Sequence, residues 1–444
     1  IDVPYRTASG PATRQFTVYA TEHGPIVRRD RQQWVSVRLM QEPVKALTQS
    51  YQRTKATSLA QFRASLDLHT NSSNNTVYAD ADGTIAYFHS NFIPRRSDAF
   101  DWTAPVDGSN PATDWDGVLS VDDTPHVINP PGGWVYNSNN WPWSSAGPNS
   151  PVRGDFPAYV DRGVEESPRG WHALQLLPSL TDVTLDGLMA AAYDPALPLF
   201  DRHLPVLLAA FDQLPAGDPQ RQTLAAPIAT LRGWDRRWAV DSIATTLAVC
   251  WGEEAARLVE DAARAAGQST DTYIATAGLA AVNRSPVLDR HPRRPLQQTL
   301  LAALGTAVGT LDRDFGTWRT PWGEINRFQR VNGAIVQPFD DSKPSLPVGF
   351  TSARWGSLAS FGARATSGTK KRYGTTGNSF VAVVEFGDRV RARAVTAGGQ
   401  SGNVASPHFD DQASHYSRGQ LRDVYFHPED IAAHTERRYT PGQP

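Results

Sequence analysis

The period of hydrophobic alternation changes twice along this 444-residue chain, and that limits the folds open to it. Gln15-Phe16-Thr17-Val18-Tyr19-Ala20 and Trp34-Val35-Ser36-Val37-Arg38-Leu39 alternate with period two, as half-buried strands do. Residues 57–68 read as a short amphipathic helix. Thr76-Val77-Tyr78 and Thr84-Ile85-Ala86-Tyr87-Phe88 flank Asp80-Ala81-Asp82-Gly83, whose Asp-Gly step favours a hairpin. The middle of the chain switches to helical spacing at 170–180, 185–192, 198–214, 220–231, 253–266 and 296–311. Thr184 and Ser269-Thr270-Asp271 stand where N-caps are expected. Period two returns at Phe380-Val381-Ala382-Val383-Val384-Glu385-Phe386 and Val390-Arg391-Ala392-Arg393-Ala394-Val395, joined by Gly387-Asp388-Arg389. Strands, then helices, then strands predict an α+β class with a helical insertion. The expected division is 1–168 strand- and loop-rich, 169–320 helical, and 321–444 strands completing the core.

Two stretches escape both periods. Residues 283–295 read as a surface connector, and residues 91–150 as loop rich in Pro, Gly, Asn and Trp. A loop that long inside a compact domain is usually functional or disordered. Trp102, Trp115, Trp134, Trp141 and Trp143 argue against disorder, because such segments are poor in aromatics.

A hydrophobic content of 40% supports a large core. A formal net charge of −2 gives no footprint for nucleic acid. The single cysteine, Cys250, excludes an intramolecular disulfide framework and a Cys-based zinc cluster. It stands in an apolar run, so it reads as an inert core residue. No stretch approaches the roughly 20 apolar residues of a membrane span. The start, Ile1-Asp2-Val3-Pro4, has neither initiator Met nor signal-peptide character, so a processed subunit or fragment is expected.

Short catalytic signatures for metalloproteases, phosphate loops and dinucleotide binding are missing. Gly399-Gln400-Ser401-Gly402 falls short of a serine-hydrolase elbow, since Asn403 stands where the motif needs Gly. The densest polar constellation is Asn129-Pro130-Pro131-Gly132-Gly133-Trp134-Val135-Tyr136-Asn137-Ser138-Asn139-Asn140-Trp141-Pro142. Uncharged amides of this kind can stabilise the developing oxyanion of acyl transfer. They can equally do no more than satisfy backbone groups in turns.

Asn129-Pro130, Gly133 and Asn137-Ser138-Asn139-Asn140 resemble the penicillin acylase family of N-terminal-nucleophile hydrolases. Further matches recur in order. They are His23-Gly24-Pro25, the Tyr78 to Tyr87 hairpin with Pro94-Arg95-Arg96, Trp234-Asp235 with Asp241-Ser242, Trp322-Gly323-Glu324, and Gly399-Gln400-Ser401-Gly402 with Ser406-Pro407-His408-Phe409-Asp410-Asp411-Gln412. Each is weak alone, and the collinear series is specific. The resemblance implies a layered αββα sheet core and an amidase in which an N-terminal Ser attacks, with its own α-amine, titrating at about 8, as base.

By that resemblance Asn139 matches the oxyanion-hole Asn. Arg169, in Ser167-Pro168-Arg169-Gly170-Trp171, matches an Arg that shapes the active site, with Arg162 the alternative. Glu385 matches a carboxylate that orients a His in some members, and Trp141 and Trp143 are candidates for the acyl pocket. Ile1 is not Ser, Thr or Cys, so the nucleophile, the backbone oxyanion donor and the α-subunit of the same precursor are expected outside this chain, which alone would be inactive. The implied substrates are N-acylated small molecules of β-lactam, acyl-homoserine lactone or lipopeptide type. No cofactor is implied for the chemistry, a structural calcium ion stays open, and the implied location is periplasmic or extracellular. The alternative function is a non-catalytic protein that binds carbohydrate or peptide on the Trp- and Asn-rich loop.

Overall fold

The computed structural model describes residues 1–70, 74–90, 92–160, 166–267, 279–282, 285–288, 294–440 and 442, with backbone alone at 279–282, 285–288 and 294–296. The chain divides into two compact units, residues 1–80 with 84–163, and residues 164–444 with 81–83. Mixed helices and small sheets make it α+β; the described strands form six sheets of two to four strands each.

In the first unit Asp2–Thr7 (β1) and Gly10–Gln15 (β2) form an antiparallel hairpin. The alternating stretch at 15–20 is therefore not one strand. Gln15 ends β2, and the next strand, Ala20–Thr21 (β3), has two residues. Phe16, Val18 and Tyr19 are 42%, 60% and 67% exposed, so their alternation faces no core within the described residues. Gly24–Asp30 (β4) pairs with β3 and with Gln33–Ser36 (β5), which is shorter than the alternation at 34–39. The helix Pro43–Arg53 (α1) was not expected from the sequence, although it opens on Pro and carries Val44, Leu47 and Tyr51 at helical spacing. Leu59–Leu66 (α2) follows, with the Ser58 hydroxyl accepting from the Gln61 amide as N-cap.

Thr76–Ala79 (β6), Ile85–Phe88 (β7) and His126–Ile128 (β8) form the antiparallel sheet that carries the site. Ala86, Tyr87 and Phe88 are all fully buried, so β7 is covered on both faces. Leu66 and Val121 pack with Ala86 and Phe88 as a small core.

The second unit opens with Pro168–Leu176 (α3), Leu185–Ala192 (α4), Leu199–Asp212 (α5), Pro219–Arg232 (α6) and Ile243–Ala265 (α7). The Thr184 hydroxyl caps α4 by accepting from the Gly187 amide at 3.1 Å. α7 begins ten residues before the periodic stretch at 253–266. Every residue from 244 to 252 is buried, so the helix is apolar all round there and shows no 3.6 period. Within this run burial pushes the Cys250 thiol up, although Arg372 at 3.2 Å from the sulfur works against it. Leu279–Val282 (β9) and Ser285–Leu288 (β10) pair as a hairpin where a connector was expected. Residues 283–284 and 289–293 of that connector, the Ser269-Thr270-Asp271 cap and Arg162 lie outside the described residues, and 294–295 open a helix instead. Arg294–Phe315 (α8) packs on α7 around Leu247, Trp251, Leu300 and Leu304.

Trp322–Ile325 (α9) leads into a mixed sheet of Asn326–Phe328 (β11), Leu346–Pro347 (β12), Phe361–Arg364 (β13) and Arg372–Gly377 (β14). Phe380–Glu385 (β15) and Arg391–Thr396 (β16) form the hairpin read from the sequence, Glu385 opposite Arg391. Val348, Phe350, Phe361, Val395 and Tyr416 make a second core beneath these strands.

Candidate active site

β8 ends abruptly. Asn129 takes a positive φ of 47°, its amide donates to the Ile85 carbonyl, and its side-chain oxygen accepts from the Ile85 amide. Two prolines and two glycines then carry the chain out of the sheet, Gly133 turning with φ +72°. The Tyr136 amide returns to the Ser145 carbonyl at 2.8 Å, closing a loop that contains Asn137-Ser138-Asn139-Asn140.

Inside that loop the amides divide the work. The Asn137 oxygen accepts from the Asn139 backbone N–H at 3.0 Å. The Asn140 oxygen accepts from the Ser138 N–H at 2.9 Å and from the Asn137 side chain at 3.1 Å. The Asn140 NH2 donates to the Tyr136 hydroxyl at 3.1 Å and the Ser144 hydroxyl at 2.9 Å. Asn149 holds the loop's entry by accepting from the Gly132 N–H. Asn129, Asn137, Asn140 and Asn149 thus do the turn-stabilising work that loop asparagines usually do.

Asn139 is different in placement. It is exposed between buried Ser138 and half-buried Asn140, and its φ of +61° puts it in the left-handed region. Asn tolerates that region better than other non-glycine residues. The surrounding bonds fix its backbone, so its amide is carried on a preset frame rather than on a free loop.

Trp141 lies 5.9 Å from the His89 ring and Trp143 lies 5.8 Å from Phe156, both half-buried. Elsewhere in this unit Arg96 stands over Trp102 and Trp115, Arg38 over Trp115, and Trp134 packs on Tyr136. Each of these Trp rings is half-buried and has at least one internal ring or guanidinium neighbour.

In the second unit Arg169 is the second residue of α3, whose first turn is capped by the Ser167 hydroxyl accepting from the Gly170 amide at 3.0 Å. One turn on, buried His172 bridges the Gly356 carbonyl at 2.8 Å and the Asp194 carboxylate at 3.0 Å. Asp194 also meets Arg237 at 3.0 Å. Burial by itself raises the Asp194 carboxyl, but the Ala196 amide, Arg237 and His172 together hold it below its usual value. Glu385 ends β15 and ion-pairs with Arg391 across the hairpin.

Among the described residues no group of three or more His, Cys, Asp or Glu gathers as a cation site. No described helix is long and apolar enough to cross a membrane. A cavity bounded by Leu199, Trp251, Ala255, Val259, Leu300 and Trp355 belongs to the helical core.

A sequence-family model described as penicillin amidase matches residues 2–433. Penicillin G acylase of Escherichia coli is 27% identical over 404 residues, covering 82% of this chain and 44% of that protein. Penicillin acylase 2 proenzyme of Pseudomonas sp. (strain SE83) is 25% identical, covering 96% and 54%. Acyl-homoserine lactone acylase PvdQ of Pseudomonas fluorescens is 26% identical, covering 95% and 54%. The chain therefore spans about half the length of the curated relatives it matches. A solved structure, thermostable penicillin G acylase from Alcaligenes faecalis, aligns over all of this chain and 81% of its own, with a TM-score of 0.61 at 20% identity. That likeness shows that the chain shares the mixed α+β fold of penicillin G acylase.

Proposed function

The chain belongs to the penicillin amidase family, and from that premise we propose that it supplies the oxyanion-donor loop and much of the scaffold of an acyl-amide hydrolase. The supporting observation is Asn139, exposed and held with φ +61° on a loop braced by the amides of Asn137 and Asn140. A nucleophile outside this chain attacks the amide carbon of an N-acylated substrate. The carbonyl oxygen becomes an oxyanion, and the Asn139 NH2 donates to it together with a backbone N–H from elsewhere. Collapse breaks the C–N bond, the amine leaves with a proton, and water hydrolyses the acyl-enzyme to a carboxylic acid. A neutral amide suits this task because it donates N–H to the charge without ionising.

In the same reading Arg169 shapes the substrate site and Glu385 orients a His near the nucleophile. Trp141 and Trp143 border the acyl group, and the enzyme works with an α-subunit outside the cytoplasm. The substrates are acylated β-lactams, homoserine lactones or lipopeptides. The test is hydrolysis of chromogenic acyl anilides with aryl and fatty chains. The full-length protein is expected to cleave at least one, and this chain alone none. Cleavage by this chain alone would overturn the external nucleophile; no cleavage by the full-length protein would overturn the amidase.

A further inference from the structure

The frame around Asn139 is anchored from outside the loop, by the end of the β6–β7 ladder. Thr76 pairs with Phe88 as the last rung, so Asn75 and His89 face each other just beyond it. The Asn75 side chain uses both ends. Its NH2 donates to the Asn140 carbonyl at 3.0 Å, and its oxygen lies 2.6 Å from His89 Nδ1. A carbonyl can only accept, so the Asn75 nitrogen must face Asn140, its oxygen must face the ring, and Nδ1 must carry the hydrogen. His89 is 7% exposed, its backbone N–H bonds the Pro125 carbonyl at 2.8 Å, and its ring packs on Trp141, the residue after Asn140.

We propose that Asn75, oriented by His89, is a positioning residue for the oxyanion donor, tying the peptide that follows Asn139 to the end of the β6–β7 sheet. The proposal rests on the reading of Asn139 as that donor. Among the bonds described above, those of Asn137 and Asn140 join residues of the loop to one another, and Asn129 ties its entry to β7. The Asn75 bond joins the loop to the end of a strand pair whose β7 is buried at Ala86, Tyr87 and Phe88, and a donor needs such an anchor if it is to meet a developing charge at a set place.

In the full-length enzyme Asn75→Ala should lower kcat about tenfold or more with KM within about twofold, because an oxyanion donor acts mainly in the transition state. Asn75→Asp keeps the size and the acceptor towards His89, loses the donor towards Asn140, and should behave alike. His89→Ala should lose less, and His89→Asn, whose NH2 takes the place of Nδ1–H, should recover most of that loss. The double variant Asn75→Ala/Asn139→Ala should be no slower than Asn139→Ala, since the two act as one unit. In the full-length protein, hydrogen exchange at 138–141 should speed up in both Asn75 variants while α5 and α7 stay as in wild type. Multiplying kcat losses in the double variant, or unchanged exchange in the loop, would each overturn the proposal. If the full-length protein cleaves no acyl amide, the oxyanion reading falls. The exchange measurement then still decides whether Asn75 holds the loop.

Discussion

The sharpest prediction concerns Asn139 itself, because backbone and side-chain contributions can be separated at one position. With φ at +61°, replacing Asn by Ala puts a residue into the left-handed region at a cost of about 1–2 kcal/mol. Replacing it by Gly removes the same amide while relieving that strain. If the amide donates to the oxyanion, both variants lose about 10²–10³ in kcat, equivalent to roughly 2.7–4 kcal/mol. The melting temperature should fall for Asn139→Ala more than for Asn139→Gly. The catalytic loss should therefore be shared and the stability loss should not. The assay is steady-state hydrolysis of an acyl anilide by the full-length enzyme, with thermal melts on the same preparations. A folded Asn139→Gly enzyme within roughly threefold of wild-type kcat would refute the reasoning, because it would leave the side-chain amide nothing to do in the reaction.

Two further predictions concern the second unit. A Cβ on Gly252 would stand 2.6 Å from the Trp355 ring, which is itself stacked on Phe200, so Gly252→Ala should destabilise the chain by about 1–3 kcal/mol in urea titrations; a change near zero would mean the α7 contact can yield. Asp194 is held below its ordinary value of 3.8, so its stabilising contribution is present above that pH and lost as pH falls through the folded-state value. Asp194→Asn should lower stability by about 1–3 kcal/mol at pH 7 and flatten the acid limb, and unfolding at pH 7 and pH 3 checks both signs. An acid limb as steep in the variant as in wild type would assign the pH dependence to other groups.

The helical part was legible because α5 and α6 each bury one face, which leaves a 3.6-residue period in the sequence. The start of α7 was not, since residues 244–252 are buried on all sides and carry no period to read. Residues 15–20 misled for the opposite reason. Phe16, Val18 and Tyr19 alternate like a half-buried strand, yet the hairpin pairs Asp2 with Gln15 and leaves these three exposed. The β15–β16 hairpin was legible since its turn residues and both alternating arms are contiguous. Asn139 was reached by resemblance; composition alone left it level with turn asparagines. Asn75 was not reached at all. Its partner Asn140 is 65 residues away, and nothing in Asn74-Asn75 before a strand distinguishes it from an ordinary boundary residue.

The candidate oxyanion donor lies on neither helix nor strand, which raises the question of how a loop can hold a donor well enough for catalysis. A donor that moves with its loop must reorganise as charge develops, and that reorganisation subtracts from the stabilisation it gives. Here the loop's order comes from side-chain amides and hydroxyls replacing a backbone ladder: Asn137, Asn140 and Ser144 bond within it, and Asn129 and Asn75 bond it to β7 and to the end of the β6–β7 pair. Each such bond contributes only about 0.5–1.5 kcal/mol, but they share residues, so losing one frees its neighbours. The richness in Asn thus has two causes that composition cannot separate. Most of the amides are structural, and their structural role is what makes a chemical role for the exposed one physically reasonable.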